Sequence, residues 1–225
     1  MDDGTADPRT RAAETKRVRT RAALIAAADS AFGSRSWAAT RVEDIAAAAG
    51  VSAATAYNHF PSKHPLVAAV FEPHVRALVR QAEADLAAGR SVVDALTDQV
   101  RGLSRLSWHH RGLTAAFTAA VFDYTIRTGQ VPDPADTADP RNVAPLLRTL
   151  LLLVEHGQAT GHLRPHPPAP EIASIVVNLL LVRSLNRPDE PPEATADLLL
   201  TVLWGVLRPD LLDTLPRPDG NGRAG

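Results

Sequence analysis

The chain has 225 residues, 45% hydrophobic and 22% charged, which is ample for one or two packed domains of ordinary soluble composition. It contains no cysteine, which excludes disulfides, thiolate metal ligands and cysteine nucleophiles. The formal net charge is only −1, but residues 8–66 hold nine Lys and Arg against four acids, about +5 by that difference. Charge gathered at one end of a near-neutral chain is the footprint expected of a small nucleic-acid reader.

Aromatics are scarce and strand-type alternation is rare, so Ala and Leu richness predicts an all-α protein. Residues 1–14 are acidic, then basic, with Gly and Pro, and read as a disordered tail. A first helix is predicted over 16–32, with Ala22, Ile25, Ala26, Asp29 and Phe32 on its packed face. Arg17, Arg19 and Arg21 sit near its start, where they can reach phosphates or simply solvate the helix.

The informative stretch is 40–63. Thr40 and Glu43 have the S/T-x-x-E spacing of a capping box. Val42, Ile45, Ala46 and Ala49 then form one apolar stripe at i, i+3, i+4 and i+7. Gly50 can end that helix in a left-handed conformation, and Ser52 can cap the next one, 53–60. Two short helices joined by a Gly-containing turn are a helix-turn-helix. The second helix carries short or flat polar groups, Thr55, Tyr57, Asn58 and His59, with Phe60 turned to the core. Asn can pair bidentately with adenine, and Ala or Thr methyls can meet a thymine methyl. A plain helical hairpin with a solvated face fits the same spacing.

Arg21-Ala-Ala-Leu-Ile-Ala-Ala-Ala through Phe32, followed by Thr40-x-Val42-x-x-Ile45-Ala46-x-x-Ala49-Gly50-Val51-Ser52-x-x-Thr55-x-Tyr57-x-His59-Phe60-x-Ser62-Lys63, resembles the N-terminal domain of TetR/AcrR repressors. The likeness covers about residues 17–70; beyond it only the helical layout is similar. It implies that 53–60 lies in the major groove and that DNA contacts come from Thr40, Arg41, Ser52, Ala53, Ala54, Thr55, Tyr57, Asn58, His59 and Lys63. Lys63, at a helix start beside free amides, is then a phosphate contact rather than a surface lysine. Three departures stand out. Ser36 replaces a usual Gly, so a strained or differently shaped turn is expected before Thr40. His64-Pro65 replaces an acidic helix start, and Ala56 replaces a larger apolar residue.

Ser62 should cap a fourth helix running to about 88 through Pro73, either a hinge or a static kink. Further helices are predicted over 92–108 and 111–128, the latter closed by Gly129. Residues 131–140 read as a mobile Pro/Asp linker, 145–160 as a helix opened by Pro145, and 163–170 as extended chain. The last two large helices are 171–186 and 194–207, followed by a fraying tail. Both are apolar nearly all round, so burial against a second subunit is expected, with Leu180 and Leu200 in the interface. The implied domains are 15–61 for DNA binding and 62–208 for ligand binding and dimerisation, with 209–225 a flexible tail.

The resemblance also implies a small-molecule pocket among the middle helices. Trp108, His109, Phe117, Phe122, Tyr124, His156 and Asn178 are its candidate lining, aromatics with a few polar groups. His109-His110 with His156, His162 and His166 lacks metal-ligand spacing, so no metal or other cofactor is expected. The most apolar run, 172–182, is short for a membrane span, and the start is polar, so a cytoplasmic protein is expected. The implied protein is a homodimeric repressor that binds a palindromic double-stranded operator and is released by an apolar or amphipathic inducer. Two other classes stay open: an enzyme with a scattered Ser-His-Asp site, although no G-x-S-x-G elbow or phosphate loop is present, and an inducer-free architectural DNA binder.

Overall fold

The computed structural model describes residues 8–129 and 133–207. Within them lie ten helices: α1 (Pro8–Ser34), α2 (Val42–Ala48), α3 (Ala53–His59), α4 (Lys63–Ala87), α5 (Val92–His109), α6 (Arg111–Thr128), α7 (Pro140–Val143), α8 (Arg148–Ala159), α9 (Ala169–Asn186) and α10 (Pro192–Leu207). No strand occurs among the described residues. The fold is all-α, as the composition and periodicity predict.

The small head is α1, α2 and α3. Leu24, Ala28 and Phe32 of α1 are fully buried and meet Val42, Ile45 and Ala46 of α2 and Ala56 and Phe60 at α3. This face is rotated from the predicted one: Ala22, Ala26 and Asp29 are exposed, while Phe32 is buried and half-buried Ile25 packs beside the core. The alanines let the three helices cross closely, because a methyl adds little thickness at each contact. α4 then runs from the head into the body. His64 to Phe71 are all buried, and α4 packs on α1, α6, α7 and α8. Phe71 stacks on Phe117 of α6 with centroids 4.9 Å apart. α4 stays helical across the exposed Pro73.

Several local readings need correction. α1 begins at Pro8, so 8–14 is helix rather than disordered tail; residues 1–7 lie outside the described residues. The segment 133–140 is held in place, not loose. Asn142 donates to the carbonyls of Asp133 (2.7 Å) and Asp136 (2.8 Å), and buried Asp139 caps α7 and grips Arg141 with both oxygens. Val131 and Pro132 of the predicted linker, and the tail from 208, are outside the described residues. α8 starts at Arg148, three residues after Pro145. α9 is apolar and long enough to qualify as a membrane span by count, but its inner face, including Ile172, Val176 and Leu180, packs in the core against α6, α8 and α10.

Candidate nucleic-acid interface

The turn between α2 and α3 follows from its residues. Gly50 takes φ +70, and the amide of Val51 returns to Ala46 O (3.0 Å) while that of Gly50 returns to Ala47 O (3.1 Å). That pair of bonds is a Schellman cap, which satisfies the last carbonyls of α2. Ser52 Oγ accepts from the Thr55 amide at 3.1 Å and starts α3. Ala56 is 1% exposed and lies against α2, so the small residue lets α3 sit close.

The predicted capping box does not form. The Thr40 hydroxyl donates to Ser36 O at 2.9 Å, and Glu43 accepts from the Tyr57 hydroxyl at 2.8 Å. The cap position of α2 is Arg41, without a side-chain cap bond. Ser36 carries no strain, since no described non-glycine residue has positive φ.

Of the residues read as DNA contacts, Arg41, Ser52, Ala54, Tyr57 and Asn58 are exposed. Ala53, Thr55, His59 and Lys63 are half-buried, and Thr40 is 1% exposed. Thr40 therefore shapes the turn and offers no side chain to a groove. The Asn58 amide has no partner among the described residues, so its donors and acceptor are available. Tyr57 lies exposed but is tied to Glu43, whose carboxyl is held low by its own backbone amide and by the Tyr57 hydroxyl.

Lys63 is turned inward. Its ammonium donates to Trp37 O at 2.7 Å and Thr40 O at 3.2 Å and sits 4.1 Å from the centre of the Trp37 ring. Burial lowers its pKa. Two of its three donors are thus used inside the head, which leaves one for a phosphate.

Trp37 was missed as a hub by sequence reasoning. Its ring stacks on Phe32 (6.0 Å) and meets His64 edge-on (5.1 Å). The available signal was that Trp37 is the one large apolar residue in 33–41. His64, 5% exposed, binds Asp123 of α6 through Nε2 at 2.6 Å and accepts or donates to Ser62 Oγ at 3.2 Å through Nδ1. Head and body are therefore pinned where α4 begins.

α1 adds a second charged surface. Residues 9–19 are all exposed, a three-turn projection of about 16 Å at 1.5 Å per residue. Arg21 leaves it at the head: its guanidinium sits 4.3 Å over the Phe60 ring at the end of α3. Burial, then the charge of Arg17, lowers the Arg21 pKa. The projection therefore starts beside the end of α3.

The seven residues read as a pocket are not brought together. Phe117 is buried against Phe71, whereas Phe122 is 46% exposed. His109 returns to Arg105 O (2.8 Å), His156 is exposed, and Asn178 donates to Ser174 Oγ at 3.2 Å on the outer side of α9. Trp108 is half-buried between α5, α9 and α10. Tyr124 donates to Asp136, a bond that raises the Tyr124 pKa to about 12 and lowers that of Asp136. It is a latch on the segment before α7. The chain has two tyrosines, and the Glu43 bond also raises Tyr57. A spectrophotometric titration should show one phenol ionising near pH 12, and Tyr124→Phe should remove that one and leave Tyr57. The sign follows from linkage: Tyr124 is raised, so its share of stability is present below its unfolded pKa of about 10 and lost on rising through about 12. A midpoint near 10 for Tyr124 would exclude the latch.

Residues 24–70 match the family model described as bacterial regulatory proteins, tetR family. The match covers the head and the start of α4, the segment that holds the helix-turn-helix. No curated protein matches its sequence. The fold is that of solved TetR-family structures. FadR of Thermus thermophilus, a TetR-family repressor in complex with lauroyl-CoA, superposes with TM-score 0.65 at 21% identity, over 91% of this chain and 100% of that one. A TetR-family regulator from Rhodococcus sp. gives 0.60 at 21% identity, over 84% and 98%. FadR of Bacillus subtilis in complex with stearoyl-CoA gives 0.59 at 15% identity, over 80% and 96%.

Proposed function

We propose that this protein is a cytoplasmic, ligand-responsive repressor of the TetR family that binds a palindromic operator as a homodimer. The observation that carries this is the outer side of α3, where Asn58, Ala54 and Ser52 stand exposed on a capped helix that the turn at Gly50 sets across α2. A two-fold dimer would set two such helices about 34–36 Å apart, one turn of duplex. Arg41 and the last donor of Lys63 would position the head on phosphates. An amphipathic inducer is supported by the acyl-CoA held in two of the similar structures. It acts by binding one arrangement of the heads better than the other.

Selection from randomised duplexes tests the reading: a two-fold-symmetric site should emerge, and Asn58→Ala should relax base preference at one position per half-site. Recovery of no preferred duplex would sink it. The α1 projection gives a second measurement. Each phosphate contact contributes about −0.9 to the slope of log K against log salt, near −1.8 per symmetric pair. Replacing Arg11, Lys16 and Arg19 together by Gln should flatten the slope by two units or more on every duplex. An unchanged slope would confine the contacts to α2, α3 and Lys63.

A further inference from the structure

The end of α5, the start of α6, the end of α9 and the start of α10 meet at a corner holding a cavity of about 20 Å3. Ser104, Ser107, Trp108, Arg111, Ser184 and Arg187 are among its lining residues. Ser104 forms the floor: it is 2% exposed, and its hydroxyl has no hydrogen-bond partner among the described residues. A helical serine or threonine ordinarily returns its hydroxyl to the carbonyl one turn back. Thr118 does so, donating to Thr114 O at 2.8 Å, and Ser184 donates to Leu181 O at 2.7 Å. Ser104 departs from that habit and leaves a buried donor facing the cavity.

The mouth is cationic. Arg111 stands 5.8 Å over the Trp108 ring, and neither it nor Arg187 forms an ion pair among the described residues. The one carboxylate in the lining, Glu190, is already held by Arg183 (2.5 Å to each oxygen) and by the Thr195 hydroxyl (2.7 Å). Arg183 lies outside the lining, so the lining itself carries two guanidiniums, Arg111 and Arg187, against one carboxylate that is already held, with the Arg187 charge adding to the pull on it. Arg111 also opens α6, whose cap residue His110 makes no side-chain cap bond, so the positive end of that helix lies at the same corner.

We propose that this corner binds a compact oxyanion, a carboxylate or a phosphate. Ser104 donates to it from the floor, and Arg111 and Arg187 close over it. The room exceeds the roughly 10–15 Å3 that one water requires, enough for an oxygen of the anion on the floor, with the rest under the guanidiniums. On the repressor reading, on which this consequence rests, occupancy is sensed by the head. Gly112 follows Arg111 and abuts the end of α1 so closely that a Cβ there would lie 2.8 Å from Gly33 O and 3.1 Å from Phe32 O. An anion that draws Arg111 toward Arg187 moves the start of α6 against that contact.

The test is calorimetric titration of the full chain with sodium phosphate and, separately, with sodium octanoate, at ionic strength balanced with chloride. One anion per chain should bind. Ser104→Ala and Arg187→Gln should each weaken it about tenfold, the scale of a hydrogen bond to a charged group. Ser104→Ala should not lower the melting temperature, because it removes an unpaired buried hydroxyl. Tighter phosphate than octanoate assigns a phosphate group, and the reverse a carboxylate; both support the site. Failure of both anions to bind, or equal binding by wild type and variants, overturns it. Fluorescence anisotropy on an operator duplex separates the two readings. Anion binding without any operator binding removes the repressor and leaves the site. Operator binding indifferent to a bound anion removes the coupling through Gly112.

Discussion

Ile175→Arg and Val182→Arg should each yield a folded monomer that no longer holds operator DNA. α9 is apolar on two sides. Its inner side, Ile172, Ala173, Val176, Val177, Leu180 and Leu181, is buried within the subunit. Its outer side exposes Ile175 (47%), Val182 (40%) and Leu185 (40%), spaced seven and three residues apart. Single exposed apolar residues are ordinary, but a stripe along one helix needs a cover. In a two-fold interface one substitution places two charges near each other, and an unpaired buried charge costs about 3–5 kcal/mol. Loss of the second reader then removes an avidity gain on the order of 10²–10⁴. Leu180 and Leu200, the positions that helix periodicity singles out, are 2% and 8% exposed within one subunit. Leu180→Arg and Leu200→Arg should therefore unfold the chain rather than split a dimer. Sedimentation velocity with circular dichroism distinguishes the outcomes. Intact dimers for both Ile175→Arg and Val182→Arg would place the interface elsewhere.

The two leucines show where sequence reading reaches and where it stops. Periodicity locates α9 and α10 within two residues at their starts. It does not say which apolar side meets the subunit's own core and which is left over, because both sides carry the same residue types. The same ambiguity rotated α1: Leu24 and Ala28 pack where Ala22 and Ala26 were expected. Caps read well when one residue decides them, as at Ser52, Ser62 and Gly129. They failed at Thr40 and Glu43 because partners distant in sequence or outside the motif, Tyr57 and Ser36, took both groups. Aromatic identity alone did not find a pocket. Phe117 and Phe122 lie on one helix, yet the first fills the α4–α6 contact and the second faces solvent. Lys63 was legible as a cation at a helix start; its inward turn toward Trp37 depends on how the 33–41 segment folds back. The unpaired hydroxyl of Ser104 has no sequence signature, since only packing makes a serine an orphan.

Gly112→Ala should destabilise the chain and disturb operator binding, whereas Gly102→Ala should do neither. Both glycines lie in helices, where Ala is intrinsically favoured by up to about 1 kcal/mol. What differs is the neighbour. A Cβ at Gly102 would come within 2.9 Å of Leu78 Cδ2, the far end of a side chain that can rotate away. A Cβ at Gly112 would meet backbone on α1, Gly33 O at 2.8 Å and Phe32 O at 3.1 Å. Backbone cannot rotate aside, so the start of α6 and the end of α1 must separate. Overpacking of this kind costs about 1–3 kcal/mol, and for a chain of this size each kcal/mol moves the melting temperature by about 2–4 °C. Phe32 lies at this contact and is also stacked on Trp37, which meets His64, so the displacement is passed to the head. Thermal melts and operator titrations of both variants measure it. A fall of several degrees with weakened operator binding in Gly112→Ala alone would show that the head is seated through this contact. Wild-type melting and operator affinity in Gly112→Ala would mean that α1 and α6 yield there, and that the head is positioned by the His64–Asp123 pin instead.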